Sequence, residues 1–175
     1  METPEYAREK AARYLSECNE YTHEWEREHV VSDWIKKGAV AQKVVGDFER
    51  RIGPVSGKEI LDVGCGNGTY MTAFAQAGAH IFGLEVNQTL VELAQQTLDS
   101  EGVQGTAVIY VGYSFPFPNG SFDYVFSVST LEHVSDHRAV LSEMARVLKP
   151  GGKALMARSA GNAAIIPRMA WVAGI

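Results

Sequence analysis

The spacing of apolar positions along the chain changes near residue 53. Before it, Val40, Val44, Val45 and Phe48 lead to Ile52 at helical spacing, in a stretch rich in charge and without glycine until Gly38. That pattern predicts amphipathic helix with one buried face. Gly53-Pro54-Val55-Ser56-Gly57 then breaks the period and marks a boundary. Residues 1–52 are therefore expected to form a helical cap or lid, and 53–175 one compact unit. Beyond the break, short apolar runs at 59–63, 79–84, 107–111, 122–128 and 153–157 read as strands. Residues 69–77, closed by Gly78, and 89–98 read as helices. A third helix is capped by Ser135 or Asp136, runs to Leu148 and is ended by Lys149-Pro150-Gly151-Gly152. The segment from Gly112 to Ser121 carries two prolines and the turn pair Asn119-Gly120. Strands alternating with helices of this length call for βαβ units, so the fold class is α/β, a doubly wound, mostly parallel sheet covered on both faces.

Composition narrows the classes of function. The chain has 175 residues and a net charge of −5, with 46% hydrophobic and 21% charged residues, which is ordinary for one globular domain. No run of about 18 apolar residues suggests a membrane span. The first residues alternate charge without an apolar core, unlike a secretory signal. Two cysteines, Cys18 and Cys65, cannot make a disulfide framework, so a reducing cytoplasm is expected. The acidic balance argues against a nucleic-acid groove. Neither nucleic acid nor membrane is expected as a partner.

Candidate chemistry centres on Gly64-Cys65-Gly66-Asn67-Gly68, between the first strand and its helix. In such sheets ligands bind at the carboxyl ends of the strands, and glycine lets the backbone turn tightly and approach a ligand. A dinucleotide loop reads G-x-G-x-x-G; here the sixth position is Thr69 and the pattern is G-x-G-x-G, with Asp62 two residues before it. Glu85 ends the second strand, where a carboxylate can accept both hydroxyls of a ribose. From Glu59 to His137 there are nine Asp or Glu and no Lys or Arg. That field favours a cationic cofactor and disfavours the 2′-phosphate of NADP.

The strings ILDVGCGNGTY (60–70), GLEVNQTLVELA (83–94), FPFPNGSFDYVFSVSTLEHV (115–134) and EMARVLKPGGKAL (143–155) resemble class I S-adenosylmethionine-dependent methyltransferases of the small-molecule type. The resemblance implies a Rossmann-like sheet and S-adenosylmethionine as cofactor, with S-adenosylhomocysteine as product. It implies that Gly64, Gly66 and Gly68, with Cys65 and Asn67 between them, pass under the methionine part. Asp62 would lie near its amino group and Glu85 on the ribose, with Val86 and Asn87 flanking adenine. Ser127 to Leu131, Ser129 among them, would face the sulfonium. The acidic residue usual after the third strand is replaced by Gly112-Tyr113-Ser114, so Tyr113 by stacking, or Ser114 through its hydroxyl, would meet adenine instead. Glu132 and His133 stand at the site mouth as candidate general bases. His133 and His137 are four apart, but the helix start between them separates them, and no metal is expected. His23, Trp25, His29 and Trp34 are read as a surface helix packing its tryptophans on the sheet, with a lid over the acceptor as the other option. Asp123 is expected to pin loop backbone.

The expected function is methyl transfer to a small-molecule acceptor. The alternatives are a non-catalytic S-adenosylmethionine-binding regulatory or partner protein, and an NAD-dependent oxidoreductase, against which the missing sixth-position glycine speaks. The resembling enzymes have seven strands in the order 3-2-1-4-5-7-6. Here about eighteen residues follow Ala157, and the last of them suit a helix or packed tail better than a hairpin. The C-terminal hairpin is thus expected to be missing, leaving the fifth-strand edge open to the tail, a homodimer mate or another partner.

Overall fold

The computed structural model describes residues 3–17, 23–111 and 113–157 and the backbone of 169–172. Helices α1 (Pro4–Glu17) and α2 (Glu24–Arg51) come first. Then β1 (Glu59–Val63), α3 (Thr69–Gln76), β2 (His80–Glu85), α4 (Gln88–Ser100) and β3 (Gly105–Ile109) alternate. They lead to β4 (Phe122–Val128), the 3-10 turn η1 (Leu131–His133), α5 (His137–Val147), β5 (Leu148–Ala157) and β6 (Met169–Val172). The sheet order is β3-β2-β1-β4-β5-β6; the first five strands are parallel and β6 is antiparallel to β5. The chain reverses its direction of strand addition between β1 and β4, so the carboxyl ends of those two strands frame a crevice.

Two apolar layers sandwich the sheet. Ala41, Val44, Val45 and Phe48 of α2 share one cluster with Phe74 of α3, Leu98 of α4 and Phe126 of β4. Phe48 meets Phe74 and Phe126 edge-on, with ring centroids 5.2 and 6.0 Å away. The opposite layer joins Val140, Met144 and Val147 of α5 to Leu61, Val125 and Phe122. The second half of α2 is therefore core, because its period-3.6 apolar stripe lies on the sheet itself. Only α1 and the first half of α2 stand outside it, around Ala7, Ala11, Tyr14, Leu15, Trp34 and Leu93.

Several expectations are corrected. β3 begins and ends two residues earlier than the apolar run suggested. Lys149 to Gly152 do not merely end a helix. Phe122 pairs with Leu148 and Tyr124 with Lys153, so these residues are looped out inside the β4–β5 pairing. The fifth-strand edge is not open: Ala154 to Ala157 pair with Val172 to Met169, so the tail contributes a strand where a helix or packed tail had been favoured. Other residues of that tail, from 163 to 168 and 173 to 175, lie outside the described ones, as do Gly112 and Cys18. At the other edge, Gln95 of α4 donates to Gly105 O (3.4 Å) and accepts from Ala107 N (3.3 Å), covering part of β3. Asp123 pins backbone through Glu59 N (3.0 Å) and also takes Lys149 Nζ (2.9 Å).

Candidate active site

A cleft of about 570 Å³ opens at the carboxyl ends of β1, β2 and β4, a size that suits a small ligand or cofactor. β1 delivers Asp62 and the glycine loop, β2 delivers Glu85, Val86 and Asn87, and the end of β4 delivers Val128, Ser129 and Thr130. α1 and α2 close one wall with Tyr14, Val30, Trp34 and Lys37. Tyr14 stacks on Trp34 at 5.6 Å between centroids.

Each glycine of the loop has a different job. All three have positive φ, +77°, +55° and +80°. A Cβ on Gly64 would strike Thr130, whose hydroxyl donates to Val63 O (3.0 Å). A Cβ on Gly68 would lie 2.7 Å from Ala94 Cα, so Gly68 sets the approach of α4 and is not part of the cleft wall. A Cβ on Gly66 would meet nothing within 4 Å; it would project into open space at the cleft, where a ligand comes closest to backbone.

Asp62 is 1% exposed and its Oδ2 has no hydrogen-bond partner, nor has Nδ2 of the buried Asn67. Burial, and then the charge of Glu85, push the Asp62 carboxyl up to about 8, while Lys37 pulls it down. Buried polar groups are normally satisfied, so two orphaned atoms on the wall of one cleft point to a polar ligand carrying a donor and an acceptor. Glu85 is also buried, but occupied: Oε2 accepts from Gly66 N (3.1 Å), and Oε1 from Val86 N (2.7 Å) and Asn87 N (3.1 Å). Its carboxylate thus ties the glycine loop to the start of α4, where Asn87 caps Leu90 N (3.2 Å). Ser129 has φ +56°, the positive-φ residue other than glycine among the described ones. Such strain tends to concentrate at functional sites.

The expected residues do not all converge. His133 lines the cleft; Glu132, on the same turn, is exposed and outside the wall. His137 Nε2 donates to Leu131 O (2.6 Å). Tyr113 and Ser114 are away from the cleft, and the Tyr113 hydroxyl bonds Ser135. The early end of β3 explains this: Tyr110 N still bonds Glu85 O (3.1 Å), so Tyr110 is the aromatic residue that this segment brings to the wall, and the chain has turned away by 113. Of the cap tryptophans, Trp34 is buried at the cleft, whereas Trp25 is 67% exposed and stacks on His23. Cys65 is buried and its thiol is pushed well up by burial, which makes it inert.

Lys37 was not foreseen. The segment from Glu59 to His137 is indeed free of bases, but α2 brings one to the cleft across the fold. Burial lowers its pKa, while Asp33, Asp62, Glu132 and Glu85 raise it. The spacing Val30, Trp34, Lys37 puts all three on one helical face, which was the available signal.

Comparison with known proteins agrees with this geometry. The family model described as a methyltransferase domain matches residues 61–156. A fungal O-methyltransferase of Aspergillus nomiae is 34% identical over 119 residues, 66% of this chain and 53% of that protein. A demethylmenaquinone methyltransferase of Geobacillus stearothermophilus is 36% identical over 110 residues, 61% of this chain and 47% of that one. This chain spans about half the length of these curated relatives. Among solved structures, a putative S-adenosylmethionine-dependent methyltransferase of Methanococcus maripaludis superposes with a TM-score of 0.68 at 17% identity, covering 91% of this chain and 65% of that one. The [4+2]-cyclase SpnF does so with 0.62 at 28%, covering 69% and 47%. With the glycine loop, the parallel sheet and the family match in agreement, the chain belongs to the methyltransferase domain family and has the class I S-adenosylmethionine-dependent methyltransferase fold.

Proposed function

We propose that this chain binds S-adenosylmethionine in the cleft and transfers its methyl group to a small-molecule acceptor. The observation that carries the reading is the pair of orphaned buried atoms, Asp62 Oδ2 and Asn67 Nδ2, beside the open space over Gly66. Asp62 then receives the amino group of the cofactor, and Lys37 stands on the same wall to balance its carboxylate. Glu85 keeps one lone pair, on Oε2, for a ribose hydroxyl while holding the loop amides. Val86, Asn87, Leu90 and Tyr110 form the adenine wall, in place of Tyr113 and Ser114. When bound, the cofactor supplies a methyl group already activated on a sulfonium, so the protein's part is alignment and exclusion of water. Ser129 and Thr130 border the transfer region.

The remaining wall, Tyr14, Val30, Trp34 and Val134, is apolar and aromatic. It suits a planar apolar acceptor carrying a hydroxyl, which His133 would deprotonate. Relatives named as O-methyltransferases, one of them of ubiquinone biosynthesis in Thiobacillus denitrificans, support that class. The cap formed by α1 and the first half of α2, and a reducing cytoplasmic setting for the buried thiol of Cys65, belong to the same proposal. Among the described residues no helix is long and apolar enough to cross a membrane. The [4+2]-cyclase among the structural neighbours shows this fold carrying another activity, which keeps cofactor binding without methyl transfer as the second reading. Calorimetry with S-adenosylhomocysteine, NAD and NADP tests the first step: binding of S-adenosylhomocysteine alone is expected, and binding of NADP alone would overturn it. Transfer of labelled methyl groups to a panel of catechols and hydroquinones then separates the two readings.

A further inference from the structure

Lys10, on α1, is 3% exposed and reaches across to α4, where its Nζ donates to Thr97 Oγ1 (3.0 Å). Thr97 is 1% exposed, and its hydroxyl faces two carbonyls, Leu93 O (2.7 Å) in its own helix and Asn67 O (3.1 Å) in the glycine loop. The Asn67 side chain is held in turn by the Thr69 hydroxyl (2.8 Å), which leaves Nδ2 on the cleft wall. A buried route thus runs from the first helix of the cap to the backbone of Asn67, a cleft-lining residue whose Nδ2 is buried without a partner. Four residues along the same face of α1, Tyr14 stacks on Trp34 and lines the cleft. One face of α1 therefore touches both the loop and the wall.

The other bonds from α1 to α4 differ in kind. Arg13 to Gln96 and Glu92, Tyr6 to Ser100 and Glu17 to Thr89 are all exposed, and exposed pairs contribute little. A lysine ammonium taken out of water is costly, and a methionine would fill the same space without that cost. A donor to Thr97 polarises the hydroxyl and strengthens the bond that the hydroxyl itself donates.

We propose that Lys10 is a positioning residue: through Thr97 it holds Asn67 and the glycine loop in the geometry that receives the cofactor, so that docking of α1 and occupancy of the loop favour each other. The proposal rests on the cofactor reading above. Coupling of this kind is reciprocal, so the cofactor should also tighten α1.

The test uses S-adenosylhomocysteine with the full chain. Lys10→Met and Thr97→Val are each expected to weaken binding about tenfold, and the double variant no further than the weaker single one. Thr97→Ser, which keeps the hydroxyl, should bind within about twofold of the parent. Hydrogen exchange without ligand should speed up at residues 67–69 in Lys10→Met, and the ligand should slow exchange in α1 of the parent but not of the variant. A merely structural lysine would change the unfolding temperature and leave affinity and loop exchange alone; that result overturns the proposal, as does an additive double variant. If Lys10→Met does not fold, the Thr97→Val and Thr97→Ser pair decides by the same affinities. If the parent fails to bind, the cofactor reading falls and the proposal with it, whereas a parent that binds beside an unaffected Lys10→Met sinks the proposal alone.

Discussion

Asp62 is a buried acid whose protonation is tied to folding and to ligand. With its carboxyl raised from an ordinary 3.8 to about 8, the folded chain holds a proton between those values that the unfolded chain has released. Its contribution to stability is therefore most favourable below 3.8 and declines as pH rises through about 8. Asp62→Asn should flatten that decline; urea midpoints measured from pH 4 to 8 check it, and an unchanged slope would assign the titration to another group. The ammonium group of an amino-acid ligand needs the ionised carboxylate, so S-adenosylhomocysteine should bind with proton release at pH 6.5–7. The release is read from the dependence of calorimetric enthalpy on buffer, and Asp62→Asn should abolish it. Glu85 combines two roles. Its charge-assisted bonds are each worth roughly 1.5–3 kcal/mol, so Glu85→Ala should weaken binding by about 2 kcal/mol, roughly thirtyfold, and lower the unfolding temperature as Gly66, Val86 and Asn87 lose their acceptor. Gly66→Val should abolish binding outright, since it fills the ligand's space and strains a φ of +55°. Binding by that variant at parental affinity would move the cofactor elsewhere.

Among the elements, α2 is the one whose role changed most between pattern and structure. Its apolar stripe was legible as a helix face, but the run Gly53 to Gly57 suggested that the face belonged to a separate cap. Phe48 instead sits in the aromatic cluster of Phe74 and Phe126 under the sheet. Phe48→Ala should cost about 3–5 kcal/mol, and denaturation followed by Trp34 fluorescence and by circular dichroism should remain one coincident transition. Separate transitions would restore the cap as an independent unit. At α5, Asp136, one of the two caps the residue pattern offered, caps Ala139 N (3.0 Å). Asp136→Ala should cost about 1 kcal/mol, measured as a shift in urea midpoint.

The cleft is fed by elements far apart in the chain, so a ligand seated there should stabilise all of it. S-adenosylhomocysteine at 100 times its Kd should add about 2.7 kcal/mol. For a chain of this size that is a rise of roughly 5–10 °C in Tm, and NADP should give none. The sheet edges follow from topology. β6 covers Ala154 to Ala157 of β5, and Gln95 shields part of β3.

What the sequence determined by itself was local and periodic. The strand runs at 59–63 and 122–128 kept their bounds, and the glycine loop and Glu85 lie where their spacing put them, because backbone sterics and alternation act over a few residues. The order of the sheet came only through resemblance. Tertiary structure alone decided the rest. Lys37 comes to the cleft of Asp62 from across the fold, Lys10 reaches Asn67 through α4, and Tyr110 lines the wall where Tyr113 had been expected. Such placements depend on where each strand ends and which helix face packs down, and packing is a property of pairs of surfaces that no local period records.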